Sequence, residues 1–323
     1  MKKRTLGRTG LEVPTIGIGT GFLGGRNASG EPCELDEELG VQTVIEAIEA
    51  GCGLIDTAPL YGQSKSETMI GKALRLRPDL KAGLIVTTKV GQTVNGRDYS
   101  YDAIMKNVED SQQRLGLETF EILYVHDAIN VPMDDVLGKG GTLEALRKLQ
   151  DDGVVRFIGT AANDPDTNGP FIETGEFDVA VVADAWSLLN QQAEHLIFPA
   201  AKKHNVGIAL ATPLERGLLA TGPTSDNRYL NRSFSPEILA HVGKIQKLCH
   251  EFDIPMVAVA LQWCVRHPMV STVIPGVANP AEARQNIEAG SMEIPEGLWQ
   301  KLEPLIKDWT DSRYVVEIKE ILN

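Results

Sequence analysis

Short apolar runs and helical stretches alternate along this chain with a steady beat, and no other feature narrows its fold so far. Thr15–Thr20, Gly53–Thr57, Leu84–Val90, Phe120–Val125, Val154–Thr160, Phe177–Ala183, Val206–Ala211 and Val270–Ile274 read as strands. Helical patterns fall between them, at Asp36–Ala50 with Asp36 as N-cap, Ser66–Leu76, Ser100–Leu115, Leu143–Gln150, Gln192–His204, Glu237–Glu251 and Pro255–Arg266, with Pro255 at the first helical position. A final core helix covers Ala281–Ala289, and Gly169–Thr174 reads as no more than one helical turn. Repeated βα units imply a parallel sheet, and eight of them in 323 residues favour a closed (α/β)8 TIM barrel, one domain over 1–323, rather than an open sheet. Residues 3–13 read as a small hairpin ahead of the barrel. The polar stretch at 212–235 and the tail at 308–323 are additions of the kind that usually serve a site.

Apolar residues make up 42% of the chain, enough for a large core. A net charge of −13 argues against a nucleic-acid partner. No apolar run is long enough to span a bilayer, and no signal-peptide core follows the basic Lys2–Arg4 start. Cys33, Cys52, Cys249 and Cys264 are scattered as in a reduced, cytoplasmic protein. Nothing in the sequence sets an oligomeric state.

Two patterns are decoys. Gly19–Gly24 (GTGFLG) follows a strand and matches the dinucleotide fingerprint, but Asn27, Ser29, Gly30 and Pro32 follow it where a helix should open. The glycines fit a loop that lets a ligand approach the backbone. Cys264 and His267 are three residues apart, but no second pair completes a metal site.

The chemistry concentrates at strand ends. GLIDTAPLYG (Gly53–Gly62) puts Asp56 and Tyr61 where the second strand empties into a loop; Lys89 ends LIVTTK and His126 ends FEILYVH. In a barrel the carboxyl ends of successive strands meet at one rim, where active sites are built. A buried lysine needs a partner, and an acid, a phenol, an ammonium and an imidazole at one rim suit proton transfer to or from a carbonyl oxygen. The ammonium favours phenolate in Tyr61, Asp56 holds Lys89, and His126 hydrogen-bonds the substrate oxygen or the phenol. No side chain supplies hydride, so this chemistry calls for a nicotinamide.

These motifs resemble the aldo-keto reductase family. The likeness runs through GLIDTAPLYG with SKSE (Ser64–Glu67), VTTKVG around Lys89, RLGLETFEILYVHD (Arg114–Asp127), TPLERGLL (Thr212–Leu219) and IPGVANPAEARQN (Ile274–Asn286). It implies a barrel plugged by the N-terminal hairpin, Tyr61 as general acid/base partnered by Asp56, Lys89 and His126, and NAD or NADP bound without a Rossmann domain. It places cofactor contacts at Gly21, Phe22, Asp56, Asn163, Pro213, Leu214, Arg216, Gly217, Pro275, Gly276, Glu282 and Asn286. Substrate contacts fall on Tyr61, His126 and Trp186, with Phe22 and Tyr314 as further walls. Departures cluster at the nicotinamide end. Ala161-Ala162 replace a Ser-Asn pair, Ala183 or Asp184 a glutamine, and Ala211 an aromatic; Asn163, Asp184 and Trp186 are the available substitutes. Uncharged Gly276–Ala278 and acidic Glu282 favour NAD, whereas Arg284 argues for NADP. The run from Tyr101 to Asp127 is similar to the branch that oxidises aldoses such as galactose or fucose. The expected activity is therefore the interconversion of a carbonyl (or sugar lactol/lactone) and an alcohol by hydride transfer to or from NAD or NADP, with Tyr61 as general acid/base. A cofactor-binding regulatory or scaffold protein of this fold, and a Schiff-base lyase using Lys89, are the competing readings.

Overall fold

The computed structural model describes residues 1–23, 34–224, 228–229, 232–309 and 315–316. Eight strands run parallel in sequence order: β1 (Ile18–Gly19), β2 (Leu54–Asp56), β3 (Ile85–Val90), β4 (Phe120–His126), β5 (Val155–Ala162), β6 (Val179–Val182), β7 (Gly207–Ala211) and β8 (Val270–Ile274). The ring closes between β8 and the approach to β1. Gly17 N donates to Val273 O (2.9 Å) and Val273 N to Thr15 O (2.9 Å), with a further bridge between Gly19 and Gly276. The result is the TIM barrel that the βα beat implies. An antiparallel hairpin, Lys3–Thr5 with Glu12–Pro14, plugs the amino-terminal end.

Strand side chains alternate between two cores because their period is two. Leu54, Ile122, Tyr124, Val179, Val181, Ala209 and Ile274 fill the barrel interior, capped from below by Leu6 and Val13 of the hairpin region. Their neighbours Ile55, Val86, Leu123, Val125 and Ile158 face outward onto the helices. The same alternation aims the polar strand ends. Asp56 is two residues beyond Leu54 and His126 two beyond Tyr124, so both point inward above the apolar plug. Register steps them up the rim by two residues per strand: Asp56 lies opposite Thr87, two before Lys89, Lys89 opposite Tyr124, two before His126, and His126 opposite Ala161.

Several helices begin and end where their caps demand. Asp36 accepts from Leu39 N (2.8 Å) at the start of Glu37–Glu49, and Gly116 ends Tyr101–Leu115 in the left-handed conformation. Four expectations need correction. The weak turn near Gly169 is a helix, Pro165–Glu173, with Asp164 as its cap; Gly169 and Pro170 hide its periodicity. The helix expected over Gln192–His204 is broken at Ile197 into Ala193–Leu196 and Phe198–His204, with Pro199 opening the second piece. Pro255 sits just outside Met256–Arg266, its ψ of 132° being extended. The 212–235 segment is not all loop: it holds a helical turn, Leu218–Thr221, and a hairpin of Arg228–Tyr229 with Arg232–Phe234.

Among the described residues no single helix is long and apolar enough to cross a membrane; Pro236–Glu251 and Met256–Arg266 pass such a test only as a pair bent by 101°. Both pack their apolar faces into the core. No cluster of described residues could hold a metal ion. Cys52, Cys249 and Cys264 are free and buried. Cys33, Tyr314 and most of the GTGFLG-to-Pro32 segment lie outside the described residues.

Candidate active site

Three strand ends and one loop converge at the carboxyl rim. Lys89, 1% exposed, donates from Nζ to Asp56 Oδ2 (2.6 Å) and to Thr57 O (2.8 Å). Its Nζ lies 4.6 Å from the centroid of the Tyr61 ring. Asp56 Oδ1 accepts from Thr87 Oγ1 (2.9 Å), so both carboxylate oxygens are occupied. Tyr61 meets His126 edge to face, with ring centroids 5.7 Å apart. All four residues are thus brought together. Thr87 was not among the expected site residues, although its position two before Lys89 on the same strand face is a readable signal.

Burial dominates the electrostatics. It pushes the Tyr61 phenol up; the Lys89 ammonium opposes this and the Asp56 carboxylate adds to it. Burial also works to lower Lys89, but Asp56 and Tyr61 outweigh it and hold the ammonium above its usual value. His126 is driven well below the ordinary imidazole value by burial, then by Lys89 and Arg97, so it is neutral near pH 7. Its Nδ1 is buried without a hydrogen-bond partner. Tyr99 fixes the strand end behind it, donating from its hydroxyl to His126 O (2.6 Å) and Asp127 O (2.9 Å).

Beside this cluster two glycines bring backbone close to aromatic rings. The Phe22 ring stands over Gly276 so closely that a Cβ there would fall 2.6 Å from it. A Cβ on Gly21 would lie 3.9 Å from Tyr61 Cζ. Pro275 O accepts from Gly19 N (2.8 Å), and Asn286 Nδ2 reaches Gly276 O (3.5 Å). Glu282 turns its carboxylate onto the loop after β8, accepting from Ala278 N and Asn279 Nδ2 at 2.9 Å each.

Across the mouth the loops after β6 and β7 meet. Arg216 Nη2 pairs with Asp184 Oδ2 at 2.6 Å, and Asp184 N donates to Thr212 Oγ1 (2.6 Å). Asp184, Thr212, Glu215 and Arg216 all have φ between 48° and 54°, a strained setting for residues with side chains. Pro213 and Leu214 lie inside this turn, which Gly217 N closes on Leu214 O (3.0 Å). Asp184 Oδ1 is buried and unpartnered. Asn163 is held by Asp127, whose Oδ1 accepts from Asn163 N (2.8 Å) and whose Oδ2 accepts from Asn163 Nδ2 (3.2 Å).

Trp186 is placed elsewhere than in the pocket wall expected of it. Its ring stacks on Trp263 at 5.0 Å and meets Phe198 and His267 edge-on, a helix-facing cluster outside the barrel interior. His267, once paired in sequence with Cys264, instead stacks on Phe198 and approaches Glu194 at 3.3 Å.

The rim of the barrel thus brings together a buried acid, lysine and imidazole, with the Tyr61 ring over the lysine. Residues 15–307 match the aldo/keto reductase family, and the chain belongs to it. It is 31% identical to a pyridoxal 4-dehydrogenase of Microbacterium luteolum, covering 93% of this chain and 96% of that one. It is 29% identical to a D-threo-aldose 1-dehydrogenase of a Pseudomonas species, covering 91% and 94%. Among solved structures, the holo form of an aldo-keto reductase from Bacillus halodurans superposes with a TM-score of 0.74 at 28% identity, covering 95% of this chain and 97% of the other. The protein is an NAD(P)-dependent reductase or dehydrogenase.

The residues beside the cluster fit such a cofactor. Backbone without a side chain lies under the Phe22 ring at Gly276 and beside Tyr61 at Gly21, and the buried Asp184 Oδ1 and His126 Nδ1 have no hydrogen-bond partner among the described residues.

Proposed function

We propose that this protein is an NAD-dependent dehydrogenase of sugars in their cyclic hemiacetal form, with Tyr61 as its proton-transfer group. The buried Lys89 ammonium, fixed by Asp56 and Thr57 under the Tyr61 ring, is the observation that carries the reading. Tyr61 takes the hydroxyl proton in oxidation and returns it in reduction. Its buried phenol is hard to ionise, and Lys89 is the one cation set against that penalty. Asp56 positions Lys89 without touching substrate. Neutral His126 holds the reacting oxygen through a ring nitrogen. When bound, the nicotinamide takes up or supplies the hydride. Gly21, Phe22, Gly276 and Asn286 would carry it. Pro213, Leu214, Arg216 and Gly217 would face its phosphates across the mouth. Asp184 and Asn163 are the polar groups left to its amide end, where Ala161, Ala162, Ala183 and Ala211 offer none.

The relatives support the substrate class. Aldoses and pyridoxal each carry an aldehyde and a hydroxyl able to close into a cyclic hemiacetal, whose oxidation yields a lactone. Charge supports NAD over NADP. Glu282 faces the loop after β8, whereas Arg284, the base that would favour a 2′-phosphate, is engaged by Glu46 and Glu288.

The test is a panel of aldoses, pyridoxal and simple aldehydes with each cofactor, using the wild type and Tyr61→Phe. Sugar oxidation with NAD is expected. It should fall roughly 10²–10⁴-fold in the variant, the usual worth of a positioned acid/base, with cofactor affinity retained. A wild type that binds cofactor but turns over nothing would favour the scaffold reading. Borohydride trapping of substrate on Lys89 would favour the lyase. NADP binding tenfold tighter than NAD would reverse the cofactor assignment.

A further inference from the structure

We infer that Asp127, which the proton-transfer cluster does not use, is the acceptor that selects polyhydroxylated substrates by binding the hydroxyl next to the reacting carbon. The inference rests on the sugar-dehydrogenase reading above and deepens it.

Asp127 follows His126 at the end of β4, with a φ of 44°. A non-glycine residue in that region is strained, so the turn is held by its surroundings. The backbone is fastened on both sides. Asp127 N donates to Ala161 O (2.7 Å), and Asp127 O accepts from Tyr99 and Arg97. The strained turn swings the carboxylate into the mouth rather than along the strand. Its side chain is 16% exposed, and Oδ2 lies 4.0 Å from His126 Nε2.

One of its oxygens is well used and the other is not. Oδ1 accepts from Asn163 N at 2.8 Å, while Oδ2 has only the longer 3.2 Å bond from Asn163 Nδ2. A half-buried carboxylate with an under-used oxygen beside the catalytic imidazole has capacity for another donor. Its charge does not help the proton-transfer cluster. A negative group here raises the Tyr61 phenol, adding to Asp56 and opposing Lys89. An acid that works against the acid/base group is explained by a different task, and hydroxyl binding is the task its geometry suits. With the reacting oxygen on His126, a donor on Asp127 Oδ2 lies one carbon away, as the two oxygens of a vicinal diol do. A simple aldehyde has no group to offer there. A substrate with an anionic oxygen at that position is repelled.

The experiment compares kcat/KM for an aldose, its 2-deoxy analogue and a simple aliphatic aldehyde, in wild type and Asp127→Asn, with NAD titrations and thermal melts as controls. Asparagine retains an acceptor for Asn163 N, so the fold and NAD affinity should be kept. Wild type should prefer the aldose over the 2-deoxy sugar by roughly ten- to a hundredfold, the worth of one hydrogen bond to a charged acceptor. In Asp127→Asn that preference should shrink to within about threefold, mostly through KM, with the simple aldehyde unaffected or faster. A variant that keeps the wild-type preference overturns the assignment. So does an equal loss on all three substrates, which marks a structural role. Should the variant fold poorly, the wild type still decides: a 2-deoxy sugar used as well as its parent overturns it. A wild type that oxidises no aldose, while reducing simple aldehydes, instead removes the sugar reading on which the assignment stands.

Discussion

Two ion pairs at the rim of this barrel, one buried and one part-buried, are built differently. Lys89–Asp56 joins two adjacent strands, with side chains 2% and 5% exposed and each carboxylate oxygen occupied. Arg216–Asp184 joins two loops, with side chains 15% and 10% exposed, both residues in left-handed backbone, and one carboxylate oxygen without a partner. The first pair is rigid and complete, as befits a group that must meet the reacting atoms in a fixed geometry. The second is strained and incomplete, as befits a loop that re-forms around a ligand. On the proposed function, one half of the mouth is prearranged for the proton, and the other is finished by the cofactor.

Breaking the strand-rooted pair should have the largest effect. Lys89→Met leaves Asp56 charged and buried with only Thr87 to answer it. Such an orphan destabilises by about 3–5 kcal/mol, and turnover should fall with it because the Tyr61 phenol loses the only cation opposing its burial. Adding Asp56→Asn should restore most of the stability in a denaturant titration but none of the activity. Recovered activity would show that the pair serves the fold alone.

The same contrast governs how much of the molecule is legible in its sequence. The strand-rooted half reads directly: period-two alternation points Asp56, Lys89 and His126 inward, and neighbouring strands bring them to one rim. The βα beat reads equally well, since each apolar run and each cap is a local signal. The loop-rooted half does not read. Nothing local pairs Asp184 with Arg216, because the contact spans 32 residues and depends on backbone conformations that side-chain residues rarely adopt. Trp186 shows the limit from the other side. Its proximity to the end of β6 suggests a pocket wall, yet three residues of loop suffice to turn the ring outward onto Trp263. Helix Pro165–Glu173 was obscured because Gly169 and Pro170 are breakers by composition, while packing of Phe171 and Ile172 overrides them.

A pH titration sharpens the comparison next. Glu215, in the strained turn beside Arg216, is buried, and burial raises its carboxyl from 4.5 to about 8, with Ser187 donating to it. Folded, it stays protonated over a range where the unfolded chain has ionised. Its contribution to stability is therefore full below about pH 4.5 and is lost as pH rises toward 8, a swing on the order of 5 kcal/mol. Glu215→Gln should flatten that decline in melts taken across the range. An unchanged slope would mean that the buried carboxyl titrates alike in both states.

A smaller effect is expected from Asp184→Ala. Because the loop pair is incomplete, its loss should spare the fold, shifting the melt by only a few degrees. The change should appear in the cofactor titration, as a roughly tenfold weaker NAD affinity if Asp184 Oδ1 receives the amide end of the nicotinamide, the worth of about one charged hydrogen bond. The pH profile governed by Tyr61 should not move. If NAD affinity holds and the profile shifts, the two halves of the mouth are not independent, and the contrast drawn between them fails.

Arg284→Ala should do least, and that is its use. Arg284 is the one base in the sequence from Pro275 to Ala289, and a base there would ordinarily be read as a partner for a 2′-phosphate. Its guanidinium instead lies in a helix-surface network, half exposed, shared between Glu46 and Glu288. Exposed pairs of this kind contribute about 0–1 kcal/mol, so neither stability nor cofactor choice should depend on it. The ratio of NAD to NADP affinity should stay within about twofold of wild type, whereas Glu282→Gln should raise NADP affinity by removing the carboxylate that repels its phosphate. A large loss of NADP affinity in Arg284→Ala would mean that the arginine leaves Glu46 when the cofactor arrives. The loop after β8 would then belong with the Asp184–Arg216 side of the mouth, whose contacts are exchanged on binding, rather than with the fixed cluster around Lys89.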